Sequence, residues 1–150
     1  MGASRLTRAA VGLLVVASGC SSASGPSDVR LRVYSDKEVY SLASDQAATP
    51  ALVNLGPAVV YAPMNEYVYV ERLVDGRWQD RRPWFAVDGL GISFPVPAGD
   101  SLVAAIPMGF GYVDRQPGFY RFLFEVAFDS LGRRLVPGAE RASPPFELRP

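Results

Sequence analysis

The sequence predicts an all-β sandwich. Three observations carry this. Apolar residues recur with period two along most of the chain, the spacing of a strand with one buried face. Thirteen prolines and fourteen glycines punctuate the chain at intervals suited to short strands. No segment carries a sustained 3.6-residue apolar stripe bounded by caps, and the periods of a repeat array are absent.

The elements follow in order. Val29, Leu31 and Val33 alternate with Arg30, Arg32 and Tyr34, predicting a first strand. Ala51 to Leu55 and Val59 to Tyr61 are the next two runs, split by a turn at Gly56-Pro57. Tyr67 to Leu73 is rich in β-branched and aromatic residues. It meets Asp75-Gly76, a strong hairpin signal, and resumes at Arg77-Trp78-Gln79. Leu102, Ala104 and Ile106 alternate after a turn at Ala98-Gly99-Asp100. Phe119 to Phe128 is the longest predicted strand. Its face of Tyr120, Phe122, Phe124, Val126 and Phe128 is expected to be the centre of the core, with Arg121 and Glu125 on the other face. Pro144-Pro145 leads into a short last strand at Phe146-Glu147-Leu148.

The beginning of the chain reads differently. Arg5 and Arg8 precede an apolar run from Ala9 to Gly19 that ends at Cys20, the chain's single cysteine. A basic start, a short apolar run and small residues before a cleavage point compose a secretory signal. Ala17-Ser18-Gly19-Cys20 resembles the bacterial lipobox, with Ala17 where Leu is usual. That resemblance implies cleavage before Cys20 and diacylglycerol on its thiol. The expected organisation is a signal peptide over 1–19, a small polar tether over 20–27 and one domain over 28–150. The run is too short for a spanning helix. The expected membrane partner is therefore reached through acyl chains on Cys20, two or three of which anchor stably where one is marginal. Arg5 and Arg8 are not adjacent, so a twin-arginine signal is unsupported. The expected address is the bacterial envelope. In a cell with two membranes, Ser21 after the cysteine suits the outer membrane, facing the periplasm or the cell surface.

Composition narrows the chemistry. The chain has 15 cations and 15 anions. Without Arg5 and Arg8 the mature part keeps 13 cations against 15 anions, which is no balance for nucleic acid. There is no histidine, so the commonest general base and metal ligand is missing. With Cys20 acylated, no thiol remains for a disulfide or a zinc site. Neither a calcium loop nor a phosphate loop is recognisable. The expectation is a non-enzymatic protein with no cofactor and no metal.

Three further stretches carry a resemblance. They are Ser35-Asp36-Lys37-Glu38-Val39-Tyr40, Glu71-Arg72-Leu73-Val74-Asp75-Gly76-Arg77-Trp78 and Pro117-Gly118-Phe119-Tyr120-Arg121-Phe122. With Asn54 ending a strand, their order resembles a bacterial immunoglobulin-like domain family of secreted proteins and lipoproteins. The likeness spans about Asp28 to Leu148. It implies an immunoglobulin/fibronectin-III-like antiparallel sandwich of about seven to nine strands. The chain departs from some members in having no cysteine near Val60 to Met64.

Several residues are candidates for particular roles. Tyr120, just after a turn and opening the penultimate strand, fits a tyrosine corner. Trp78 is expected to pack beside the hairpin. Glu71 is expected to face solvent, the alternative being a buried carboxylate paired with an arginine. The segment from Arg77 to Phe85 holds three arginines and three aromatics. Arg77, Arg81, Arg82 and Trp84 are candidates for a partner-binding surface, since Arg and Trp are enriched at hot spots. The competing reading packs Trp78 and Phe85 inward and leaves the arginines solvated. A second candidate loop is Met108 to Tyr112.

Two functions compete. One is a lipid-anchored interaction or ligand-binding module for an envelope protein or glycan. The other is a proteinase inhibitor, because the sequence also resembles the bacterial intracellular proteinase inhibitor domain. That function needs an extended rigid loop, which Ser41 to Pro50 or Arg133 to Pro145 would supply.

Overall fold

The computed structural model describes residues 29–63, 67–83, 93–107 and 116–150, with the side chains of 80–83 outside that description. The described chain is all-β. Its strands are β1 (Leu31–Tyr34), β2 (Val39–Ser41), β3 (Ala47–Ala48), β4 (Ala51–Asn54), β5 (Val60–Pro63) and β6 (Val68–Val74), followed by β7 (Arg77–Pro83), β8 (Ser93–Val96), β9 (Ser101–Val103), β10 (Ile106–Pro107), β11 (Gly118–Phe124) and β12 (Phe146–Arg149). Among the described residues, one 3-10 turn spans Gly138–Glu140.

Two sheets dominate. One has five strands in the order β2-β12-β11-β6-β7, and the other has three in the order β1-β4-β9. The pairs β10-β3 and β5-β8 form two small ladders. One continuous core joins them. Val33 and Leu52 come from the three-stranded sheet, Val60 and Val96 from β5-β8, and Val70, Phe122, Phe124 and Phe146 from the five-stranded sheet. This is a sandwich-like arrangement, in which alternate residues of each strand point to a shared interior.

Alternation decides which side chains are inside. In β11, Tyr120, Phe122 and Phe124 are buried while Phe119 is 52% exposed, and Leu123 on the same outer face is the exception, buried at 3%. Val68 and Val70 of β6 follow the same rule. Phe146 sits at the aromatic centre. Its ring stacks on Phe122 at 4.6 Å and meets Tyr40 edge-on at 5.0 Å. Such pairs add about 0.5–1.5 kcal/mol beyond the area they bury.

The structure departs from the sequence expectations in three ways. Twelve strand segments stand among the described residues, against an expected seven to nine, because several runs are cut into pieces of two to four residues as the chain changes sheet. β2 pairs with β12 in parallel, Glu147 opposite Val39 and Leu148 opposite Tyr40, so the arrangement is not wholly antiparallel. The crossing after β1 into the other sheet sets that direction. Finally, the strand expected over Phe119 to Phe128 is Gly118–Phe124. Beyond Phe124 the partner changes from β6 to Tyr61 and Leu135, which bridge Ala127. Val126 remains fully buried, whereas Phe128 is half-buried.

The turns are held by side chains. Asp75 (φ 49°) and Gly76 (φ 75°) make the β6-β7 turn, the two positive angles of a type I′ hairpin. The Asn54 side chain is completely buried. Its Nδ2 donates to the carbonyls of Ala58 (2.7 Å) and Val96 (2.9 Å), and its Oδ1 accepts from Gly56 N–H (3.1 Å). A buried amide with this many partners is stabilising where a bare one would be costly. After β1, the Asp36 carboxylate accepts from the Tyr40 hydroxyl and from Thr49 N–H, each at 2.6 Å. Burial alone would raise the Asp36 pKa, but these hydrogen bonds outweigh it and hold the carboxyl below its ordinary value. Burial and the neighbouring Asp36 push the Tyr40 hydroxyl well above its own.

Candidate functional site

The outward face of the five-stranded sheet is built around a cross-strand pair. Arg121 of β11 lies directly opposite Glu71 of β6. Arg121 Nε donates to Glu71 Oε2 at 2.6 Å, and Nη2 lies 2.6 Å from the same oxygen. The two side chains keep only 21% and 13% of their exposure. The Arg121 guanidinium also lies over the Trp78 ring, 4.5 Å from its centroid. Trp78 is opposite Leu73, so β6, β7 and β11 each contribute one member of a carboxylate–guanidinium–indole stack. Glu71 is therefore a paired, mostly buried carboxylate and not the solvent-facing one expected from sequence. Opposite charges in register across two strands favour each other once water is largely excluded.

Beside this stack the face turns apolar and open. Phe119 sits two residues before Arg121 and opposite Glu147, which is itself opposite Val39. Phe119 and the 40% exposed Val39 flank a carboxylate held by Arg149 at 2.7 Å.

Among the described strands, the arginine-rich segment lies at the edge of this sheet. β7 has β6 as its sheet neighbour and begins at the exposed Arg77, opposite Val74. A register shift between Val70 and Arg72 places Arg82 opposite Val70 while Gln79 is opposite Arg72. One extra residue on β7 is thus accommodated in a bulge, a common device at sheet edges. Arg81 and Arg82 lie on β7 by backbone, and their side chains are outside the description. Trp84, Phe85, the loop Met108 to Tyr112 and Cys20 lie outside the described residues.

Tyr120 is placed at a corner. Its hydroxyl donates to the Gln116 carbonyl, four residues upstream, at 2.6 Å, which is the backbone bond a tyrosine corner makes. Arg72 braces the same corner. Its Nη1 donates to Gln116 Oε1 (2.7 Å) and Nη2 to the Pro117 carbonyl (3.3 Å). Its Nε is buried without a partner. Gly118 between them has φ 155°, and a Cβ there would meet Arg72 Nε at 3.4 Å. Sequence reasoning missed this brace, since Arg72 and Gln116 are 44 residues apart.

The two segments weighed as inhibitory loops are tied back to the fold. In Ser41 to Pro50, Asp45 accepts from Ser41 N–H (2.7 Å) and from Lys37 Nζ, and Ala47–Ala48 pair with β10. In Arg133 to Pro145, Val136, Arg141 and Ser143 are buried. Arg141 donates to the carbonyls of Val136 (2.7 Å) and Phe124 (2.9 Å).

The fold and its outer face thus define an all-β, sandwich-like protein. No protein-family model matches the chain, and no curated protein matches it. Among solved structures, it is similar to a beta-glucosidase from Listeria innocua in complex with isofagomine. That likeness has a TM-score of 0.35 and 10% identity, covering 81% of this chain and 16% of that one. A mutant of the Listeria innocua enzyme in complex with laminaribiose gives a TM-score of 0.31 and 9% identity, with the same coverage. The chain spans 16% of the length of these enzymes.

Proposed function

We propose that this is a lipid-anchored bacterial envelope protein whose single domain is a non-enzymatic, immunoglobulin-like binding module. Strand order supports the immunoglobulin-like part. β12, β11, β6 and β7 are neighbours in the order that strands G, F, C and C′ take in a variable-type domain, and the order β1-β4-β9 matches that of A, B and E. The observation that carries the binding role is the outer face itself. Trp78 and Arg121 are locked together, Phe119 lies open two residues away, and the Arg77–Pro83 edge adjoins them. Rigid aromatic and arginine side chains of this kind anchor protein and glycan partners at little entropic cost. The inhibitor reading gains nothing from the two loops, which are hydrogen-bonded into the sandwich.

Two measurements test the proposal. Cells expressing the full chain are fed labelled palmitate beside a Cys20→Ala variant; equal label in both would remove the anchor. The acylated chain is then used to capture partners from envelope extracts. Trp78→Ala, Trp84→Ala and Arg81→Ala/Arg82→Ala should each weaken the same capture. Undiminished capture by all three would move the binding surface off this face.

A further inference from the structure

Three turns and the entry of the domain converge at one end of the sandwich. Leu31 is opposite Asn54, and Leu55 N–H donates to the Arg30 carbonyl at 2.7 Å. The turn from Leu55 to Val59 therefore sits beside the point where the chain enters the fold. The turn at Pro97 to Asp100 joins it through Gly99 N–H to the Asn54 carbonyl (2.8 Å) and Asn54 N–H to the Asp100 carbonyl (3.0 Å). Tyr61 and Ala127 exchange two backbone bonds, at 2.9 and 2.8 Å. That exchange brings the turn from Asp129 to Arg134 level with Val59.

This end is unusually apolar at its surface. Eight large apolar side chains are exposed among the described residues, and four of them are here: Leu55 (47%), Val59 (40%), Leu131 (68%) and Leu135 (39%). The turns that carry them are rigid. Buried Asn54 fixes the first, and the Asp129 carboxylate fixes another by accepting from the N–H groups of Leu131, Arg133 and Arg134. Exposed aliphatic side chains on locked turns do not collapse onto the domain to hide from water. Arg30, Arg133 and Arg134 are exposed around them. Of the nearby acids among the described residues, Asp129 is engaged by backbone and Asp100 is exposed.

We propose that this end of the sandwich docks on the lipid surface to which Cys20 is anchored, with Leu55 and Leu131 entering the headgroup layer and the arginines facing lipid phosphates. The inference rests on the lipid-anchor reading above. The length of chain between anchor and fold selects the occupant. Eight residues separate Cys20 from Val29, and even fully extended the nine steps between them reach only about 30 Å. The end that receives this tether is the end that bears the aliphatic turns. Holding a weakly lipophilic surface so close to a bilayer raises its effective concentration to the millimolar range, where a few buried side chains suffice. Aliphatic groups flanked by arginine suit the interface between acyl chains and phosphates.

The test uses the full acylated chain in vesicles of phosphatidylethanolamine and phosphatidylglycerol. Because the Cys20 thiol is consumed by acylation, Leu55→Cys, Leu131→Cys and Phe119→Cys each present one reactive thiol for an environment-sensitive fluorophore. Probes at 55 and 131 should shift to the blue and be quenched by lipids carrying a shallow nitroxide. The probe at 119, on the opposite end of β11, should do neither. Water-like, unquenched emission from both tip probes on acylated protein would overturn the docking while leaving the anchor intact. Tip probes protected only in whole envelope preparations would assign this end to a protein or cell-wall partner and equally overturn it. Failure of wild type to take up labelled palmitate would remove both readings together.

Discussion

Arg121 is shared between Glu71 and the face of Trp78, so that one guanidinium closes an ion pair and a cation–π contact across three strands. Removing Arg121 takes away the guanidinium that pairs with Glu71, whose side chain is 13% exposed in the pair. A double-mutant cycle with Arg121→Ala and Glu71→Gln should give a coupling of about 0.5–3 kcal/mol. Denaturant midpoints of the four proteins measure it. Additive losses would mean that the pair, despite its geometry, contributes nothing net.

Phe119 and Phe124 occupy opposite ends and opposite faces of the same strand. Phe124 is fully buried and Phe119 is 52% exposed. Phe124→Ala should cost about 3–5 kcal/mol, a large part of a typical stability of about 5–15 kcal/mol. Phe119→Ala should change stability by about 0.5 kcal/mol or less. Urea unfolding followed by Trp fluorescence separates the two, and similar midpoints would reverse the assigned faces.

Gly118→Ala should destabilise the corner before β11. The backbone there has φ 155°, and the new methyl would come into contact with Arg72 Nε at 3.4 Å. A strained residue of this kind costs about 1–3 kcal/mol. Thermal melting of Gly118→Ala beside Arg72→Ala/Gly118→Ala tells backbone strain from side-chain crowding. Rescue in the double variant would make crowding the cause.

The pH dependence follows from carboxylates that sit below their ordinary pKa. Asp36 is lowered by the Tyr40 and Thr49 hydrogen bonds against an opposing effect of burial. Asp45 is lowered chiefly by Lys37. A carboxylate depressed in the folded state contributes stability above its unfolded pKa and loses it as pH falls through the folded value. The melting temperature should therefore fall from near the ordinary carboxylate value of 3.8 downward. Tyr40 has the opposite sign: its raised pKa means stability lost as pH climbs past its ordinary value of 10.0. Asp36→Asn should flatten the acid limb and Tyr40→Phe the alkaline one, both read from melting scans across pH.

Alternation made the inner face of β11 legible from sequence, because period two ties each side chain to one face whatever the partner strand. The hairpin at Asp75-Gly76 was legible for an equally local reason. Partner and direction were not. Nothing near Val39 marks it for parallel pairing with Glu147, and nothing near Glu71 selects an arginine 50 residues away. Such choices are made by register between distant strands, where many alternatives have the same pattern. Asn54 shows the boundary clearly. Its place at a strand end could be read locally, but its bond to Val96, 42 residues on, could not.

The parallel pairing of β2 with β12 also sets an order of events. Residues 39–41 lie at one edge of the five-stranded sheet and have residues 147–149 as their neighbours there. Leu42 N–H and Ser41 Oγ reach the same stretch, at the carbonyls of Arg149 and Pro150. A chain that emerges N-terminus first, from a ribosome or an export channel, exposes this early segment long before its neighbour exists. The sheet closes only when residues 147–149 have emerged, and such long-range closure is slow. Until then the early strand is an unpaired edge, open to chaperones and to aggregation.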